Sequence, residues 1–387
     1  MSRPAGTPDV VVIGAGALGA ATAYFATAAG LSVEVIERGA IVSGTTSACE
    51  GNLLVSDKEA GPELDLALLS NRLWREDLAE HGELWEFEAK GGLVVASDEA
   101  GAAGLAELAV RQRAAGIDVE LVPVDEVHDY EPHLTRDLGG AAFYPQDCQV
   151  QPMLMAAHLL RMARERGARV RTGTTVTGFL RDGDRVTGVR TDRGDVHAGH
   201  VVNAGGTWAG EIAALAGVEV PVLPRRGFIL VTEPVPRTVF HKVYAGEYVA
   251  STQSSDEGLQ TSTVIEGTRS GTILIGSSRE RVGFDRTVSL PALREMARKA
   301  LTLYPTLGSL SLMRTYLGFR PYCPDHLPVI GCDPRAPGLA HAAGHEGAGI
   351  GLSVGSAKLL VQALTGDRPA IDMAPFAPER FALQEVS

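Results

Sequence analysis

The sequence predicts a mixed α/β fold in which the chain leaves a parallel sheet, builds an inserted antiparallel sheet, and returns. Three observations predict it. Residues 9–38 read as strand, glycine turn, helix and strand; residues 201–209 repeat the strand, glycine turn and helix start; and residues 222–279 are rich in β-branched residues and turns.

Taken in order, residues 9–14 form a buried apolar strand, 17–29 an Ala-rich helix, and 32–37 a strand of strict alternation. The polar run Ser43-Gly-Thr-Thr-Ser-Ala48 follows, then apolar residues at helical spacing near 63–80. Strands are expected at 91–96 and 119–122, an amphipathic helix at 151–166, and a strand at 169–171. Residues 176–199 alternate in short strands around the turn Asp182-Gly-Asp, and a helix is expected at 293–304. A glycine-rich turn and helix at 344–364 close the pattern. Segments 1–90, 145–220 and 325–387 thus read as one discontinuous domain, with 91–144 and 221–324 as the second. The 387 residues are enough for two cores.

Charge excludes some functions. With 35 Lys and Arg against 47 Asp and Glu, the net charge is −12, and no basic run exceeds a pair, so nucleic acid is not an expected partner. Glycines interrupt the longest apolar run, which argues against an integral membrane segment. Residues 1–9 hold one Arg and no apolar stretch, so no secretory leader is expected and a cytoplasmic location is. Cys49, Cys148, Cys323 and Cys332 lack CxxC spacing and nearby His, which predicts reduced thiols and no metal site. Electrons handled by such a chain sit on an organic cofactor or leave for a partner.

Gly14, Gly16 and Gly19 form a GxGxxG turn: the first allows the tight turn, the second admits a pyrophosphate, and the third lets helix pack on strand. The helix N-terminus offers free N–H groups to the phosphates. Glu37, 18 residues beyond Gly19, stands where a carboxylate accepts ribose hydroxyls and repels a 2′-phosphate. This predicts a dinucleotide and leaves NAD and FAD both open. Two distal features favour FAD. Gly344-His-Glu-Gly-Ala-Gly-Ile-Gly-Leu-Ser353 opens a helix suited to the negative charge of a reduced flavin, and Asn203-Ala-Gly-Gly-Thr-Trp-Ala209 sets small residues midway along an extended cofactor.

These pieces, together with Arg226-Gly and Gly318-Phe-Arg-Pro-Tyr-Cys-Pro-Asp325, resemble the D-amino-acid oxidase, glycine oxidase and sarcosine oxidase superfamily of FAD-dependent amine oxidoreductases over nearly the whole chain. Ala48-Cys-Glu-Gly-Asn-Leu-Leu-Val-Ser-Asp-Lys58 and Gly271-Thr-Ile-Leu-Ile-Gly-Ser-Ser-Arg-Glu280 are similar to flavoprotein subunits of D-hydroxyproline, opine and cyanide-forming glycine dehydrogenases. The resemblance implies a glutathione-reductase-type FAD domain with a substrate domain whose sheet roofs the flavin. The implied cofactor contacts begin with Gly14, Ala15, Gly16, Ala17, Leu18 and Gly19, then Glu37 and Arg38. Thr45, Thr46, Ser47, Gly51 and Asn52 continue them, followed by Val176, Ala204, Gly205 and Trp208. Gly347, Gly349, Ile350 and Gly351 complete the set at the flavin end.

The resemblance also implies that Arg320 grips a substrate carboxylate, since a planar fork suits that group. His345 is the remaining catalytic candidate, and Tyr248, Glu266 and Arg269 are substrate candidates. Several positions depart from the family. Gly318 stands where the sarcosine oxidase branch tethers FAD through Cys, which implies noncovalent FAD, and Leu274 stands where that branch has an oxygen-activating Lys. Gly347 and Val264 replace an Arg and a Tyr of glycine oxidase. The implied reaction is hydride transfer from the α-carbon of an amino acid to flavin N5, giving an imine that water hydrolyses. A secondary or N-substituted substrate, glycine-like or D-configured, is favoured. The electron acceptor is oxygen or a partner protein, and the oligomeric state stays open.

Overall fold

The computed structural model describes residues 6–248 and 255–383. Residues 1–5, part of the segment expected to lack a leader, lie outside the described residues, as do 249–254 of the expected antiparallel stretch. Six strands form one sheet in the order Val329–Cys332, Leu339–Ala343, His200–Asn203, Val10–Ile13, Val33–Ile36, Arg169–Arg171. All neighbours are parallel except the outermost Val329–Cys332, which is antiparallel. The register sets Ile13 beside both Asn203 and Ile36, so Gly14, Ala204 and Glu37 leave adjacent strands at the same carboxyl edge. That edge is where an open α/β sheet binds its ligand.

Alternate residues of Val10–Ile13 serve two cores. Val10 and Val12 pack under the helices Ala17–Ala28, Pro152–Glu165 and Gly349–Thr365, while Val11 and Ile13 face Phe179, Val189, Val196 and Ala213. The run Glu346–Thr365 is long and apolar enough to cross a membrane, and the fold instead packs its helix against Ala17–Ala28 and Pro62–Arg72.

The second sheet has eight strands, in the order Leu312–Tyr322, Leu223–Thr232, Ile273–Arg279, Gln260–Gly267, Lys242–Ala245, Gly92–Ala96, Gly140–Tyr144, Glu120–Val122. It is antiparallel except where Lys242–Ala245 pairs parallel with Gly92–Ala96. The helix Leu290–Leu303 covers one face, burying Met296 against Phe228, Leu230, Ile265 and Ile275. The two sheets meet where Thr45 Oγ1 and Thr207 Oγ1 each donate to the Phe319 carbonyl, both at 2.6 Å.

The structure departs from the sequence expectation in places. The alternating strand 32–37 suggests one exposed face, but Val33–Ile36 is buried throughout: Glu34 is fully enclosed, paired with Arg169 at 2.7 Å and with Arg171. The helical region near 63–80 is the helix Pro62–Arg72 followed by tighter and wider turns to Trp85. The helix Glu99–Ala114 and the strands Gly140–Tyr144 and Leu312–Tyr322 had no counterpart in the reading of the sequence.

Candidate functional site

A long cleft runs from the carboxyl edge of the parallel sheet to the face of the eight-stranded sheet. At its first end, Gly14 has φ 105°, and a Cβ there would lie 2.5 Å from the Ala204 carbonyl oxygen, so only glycine fits. A Cβ on Gly19 would lie 1.9 Å from Gly14 O, which is the price of closely seating helix on turn. Gly16 differs: its Cβ would meet only Thr46 Oγ1, at 3.1 Å, so its open side is the cleft itself. No side chain caps the helix Ala17–Ala28 at Gly16, although Thr46 Oγ1 accepts from Ala17 N at 3.0 Å. The helix therefore offers N–H groups and its positive dipole end to an anion.

Glu37 is held in place by the backbone. Its Oε2 accepts from Ala15 N at 2.9 Å and its Oε1 from Gly39 N at 2.7 Å. Arg38 lies 4.0 Å over the Trp208 ring, which stacks on Phe284, and both Arg38 and Trp208 line the cleft with Val176 and Gly205. Leu18, Thr45, Asn52, Gly349 and Ile350 also form wall. Five expected cofactor residues stand behind it. Ala15 spends its N–H on Glu37, and Gly19 lies within the helix Ala17–Ala28, on the face pressed against Gly14. Ser47 donates to Gly44 O at 3.0 Å on the exposed side, Gly51 abuts Val150 O, and Gly351 turns its carbonyl to Trp74 Nε1 at 3.0 Å.

At the far end, Gly344 turns with φ 76° and His345, Glu346 and Gly347 lead into the helix Gly349–Thr365, whose N-cap residue Ala348 makes no side-chain cap. Arg320 comes from the strand Leu312–Tyr322 and lies across Gly227, where a Cβ would clash with its Nη1 at 2.1 Å. Nη1 donates to Ser278 O at 2.7 Å. Burial and, next, the charge of Arg279 lower Arg320 to about 10, so it remains a cation at neutral pH. A small chamber opens from the cleft here, sharing Tyr248, Arg320, His345, Glu346 and Gly347 with it and adding Asp57, Lys58 and Arg279.

Tyr248 is buried, with Arg279 5.4 Å over its ring and Tyr244 edge-on at 5.3 Å. His345 Nε2 lies 2.8 Å from Ser356 Oγ, and burial pushes its imidazole down to about 3. It lines the cleft as a neutral imidazole near pH 7, hydrogen-bonded to Ser356. Two substrate candidates are corrected. Glu266 does not line the cleft; it lies behind the loop, pairing with Lys242 Nζ at 2.7 Å and accepting from Gly51 N at 3.1 Å. Arg269 sits at a hairpin tip, bonded to Glu83 at 2.8 Å and to Phe87 O at 3.0 Å, outside the cleft.

Sequence reasoning missed Glu50, Lys58, Lys242 and Arg279. Glu50 lines the cleft, and the others are buried within or beside it. A signal existed: Glu50, Asp57 and Lys58 flank the apolar run Leu53-Leu-Val55 beside a glycine, where a solvated charge is out of place.

The matching family model, "FAD dependent oxidoreductase", covers residues 9–363. The hydrogen cyanide synthase subunit HcnC of Pseudomonas aeruginosa is 33% identical over 324 residues, 82% of this chain and 74% of that protein. Glycine oxidase of the same organism is 30% identical over 388 residues, 95% of this chain and 98% of that protein. The crystal structure of L-proline dehydrogenase from P. horikoshii superimposes with a TM-score of 0.89 at 26% identity, covering 97% of this chain and 98% of that one.

Proposed function

Since the chain belongs to the family of FAD-dependent oxidoreductases, we propose that it oxidises the C–N bond of an amino acid to an imine, which water hydrolyses to an oxo acid and an amine. The observation that carries this reading is Arg320: a half-buried guanidinium in the cleft wall beside Gly347, with Gly227 leaving it room to lie flat. Such a group needs an anion, and a carboxylate matches its planar fork.

The residues present fit FAD. The cradle at Gly16 is a space its own Cβ would enter, Glu37 is fixed for a ribose, and the uncapped helix Gly349–Thr365 suits the flavin end. Gly318 faces the cleft with no room for a side chain, since a Cβ would lie 2.7 Å from Ala48 Cβ; this supports noncovalent binding. When bound, FAD supplies the hydride acceptor, at flavin N5, for the hydrogen on the substrate α-carbon.

The protein's part is positional. Arg320 fixes the carboxylate and with it the α-carbon, and Tyr248 and His345 close the chamber as neutral groups that keep water out. A secondary or N-substituted amino acid, glycine-like or D-configured, is the favoured substrate class; likeness to a proline dehydrogenase supports a secondary amine, and likeness to glycine oxidase supports a small one. A second reading rests on likeness to a protein named as a subunit: the chain passes its electrons to a partner protein instead of oxygen.

The test is anaerobic. Purified yellow protein is mixed with a panel of amino acids, and bleaching of the flavin band by an N-substituted amino acid is the expected result. No bleaching by any member overturns the proposal. Peroxide released in air marks an oxidase; bleaching without peroxide marks a partner-dependent dehydrogenase.

A further inference from the structure

An amino acid reaches the cleft as an ammonium, whose nitrogen has no lone pair to help a hydride leave its α-carbon. Something must take that proton, and Arg320, a neutral His345 and an arginine-capped Tyr248 are poor acceptors. Glu50 is different. It follows the short 3-10 helix Thr45–Ala48, lines the cleft, and is 8% exposed. Its Oε2 accepts from Asn52 Nδ2 at 3.3 Å, but among the described residues its buried Oε1 receives no hydrogen bond. Behind it, Lys242 Nζ lies 3.8 Å from that oxygen and 2.7 Å from Glu266. Gly276 makes the room, since a Cβ there would lie 2.7 Å from Oε1.

Glu50 and Glu266 share the ammonium of Lys242, which lies 2.7 Å from Glu266 and 3.8 Å from Glu50. Glu266 also accepts from the Gly51 N–H, so Glu50 is the less tightly paired carboxylate of the two. A weakly paired buried carboxylate is the one that takes up a proton.

We propose that Glu50 is the proton acceptor for the substrate ammonium: its carboxylate takes the N–H proton, the N–H bond pair stays on nitrogen as a lone pair, and that pair forms the C=N bond as the α-hydrogen leaves with its electrons. The two electrons go to the family's bound FAD, and the proton stays on Glu50 until solvent removes it. This rests on the proposed amine oxidation and deepens it, assigning a base where the sequence showed none. The charged and titratable groups facing Glu50 are Lys242, Glu266, Arg320, Tyr248, Tyr316 and Cys49. Burial holds the Glu50 carboxyl above the ordinary carboxylate range, Lys242 opposing, which brings its basicity toward that of an amine.

The experiment takes the amino acid that bleaches the wild type fastest and measures anaerobic flavin reduction against pH for wild type, Glu50→Gln and Glu50→Asp. FAD content and the visible spectrum are recorded for each. Glu50→Gln is expected to keep its flavin and to reduce about 100-fold more slowly near pH 7. The deficit should shrink tenfold per pH unit as the solution amine deprotonates, with Glu50→Asp intermediate. A second readout is proton release to a dye in weak buffer. On binding 2-aminoisobutyrate, which has no α-hydrogen to lose, less of the proton should stay with Glu50→Gln than with wild type. A Glu50→Gln profile parallel to wild type at every pH, or unchanged proton release on binding, overturns the proposal while leaving amine oxidation intact. No bleaching of the wild type by any amine overturns both.

Discussion

The two ends of the cleft are made of different materials. The end at Gly14 and Glu37 is backbone: a glycine turn, a helix start and one carboxylate, all within 24 residues of chain, the carboxylate held by N–H groups. The end at Arg320 is charge: the buried Glu50, Lys242, Glu266 and Arg279 and the half-buried Arg320 come from five separate segments that only the folded sheets bring together. A backbone site depends on what a residue lacks, and tolerates no addition. A charge site depends on balance, and tolerates no subtraction. Adding a side chain at the first end and removing charge at the second should therefore fail in separable ways.

The largest effect is expected from Gly16→Val. Its side chain would enter the cleft, since little but Thr46 Oγ1 stands near. The purified variant should be colourless while its circular dichroism and urea midpoint stay near those of the wild-type apoprotein. A yellow Gly16→Val protein would break the contrast. Lys242→Met comes next and tests the other end. It leaves Glu50 and Glu266 buried without their cation, and breaking a buried pair this way costs about 3–5 kcal/mol. Urea unfolding should report that loss, and lowering the pH should restore part of it as a carboxyl protonates. A variant as stable as wild type would mean the cluster is solvated.

The same contrast explains what the sequence made legible. GxGxxG, the turn before 209 and the turn at 344 carry their meaning in residue type, so the parallel sheet and its carboxyl edge could be read. Charges carry theirs in burial, which a sequence does not print. Glu34 alternates like a surface residue and is fully enclosed between Arg169 and Arg171. Glu266 and Arg269, three residues apart, looked like one substrate-facing patch, yet the strand Gln260–Gly267 turns the first inward behind a loop and the hairpin puts the second outside. Arg320 was legible only because a motif resembling a known family marked it.

Arg320→Ala sharpens the comparison from within the charge end. It removes one group without stranding an ion pair, because Nη1 is bonded only to the Ser278 carbonyl among the described residues. The fold and the flavin should survive, and the apparent substrate constant should rise about 100-fold, or roughly 2.7 kcal/mol, for a lost charge-assisted pair. Titration of flavin bleaching against substrate measures it, and an unchanged constant removes Arg320 from the carboxylate site.

Arg269→Ala should do least. Its partner Glu83 is exposed and its own side chain is one third exposed, so water screens the pair and replaces it readily on removal. A change within about 0.5 kcal/mol in the urea midpoint energy is expected, with substrate constant and flavin content unmoved. Arg320 and Arg269 carry the same guanidinium, each with a hydrogen bond to a backbone carbonyl. If the two variants behaved alike, burial would not be what separates a substrate ligand from a surface ion pair in this chain. A large rise in the substrate constant for Arg269→Ala would require the hairpin tip to reach the cleft during turnover, across the loop that now holds Gly51 to Glu266.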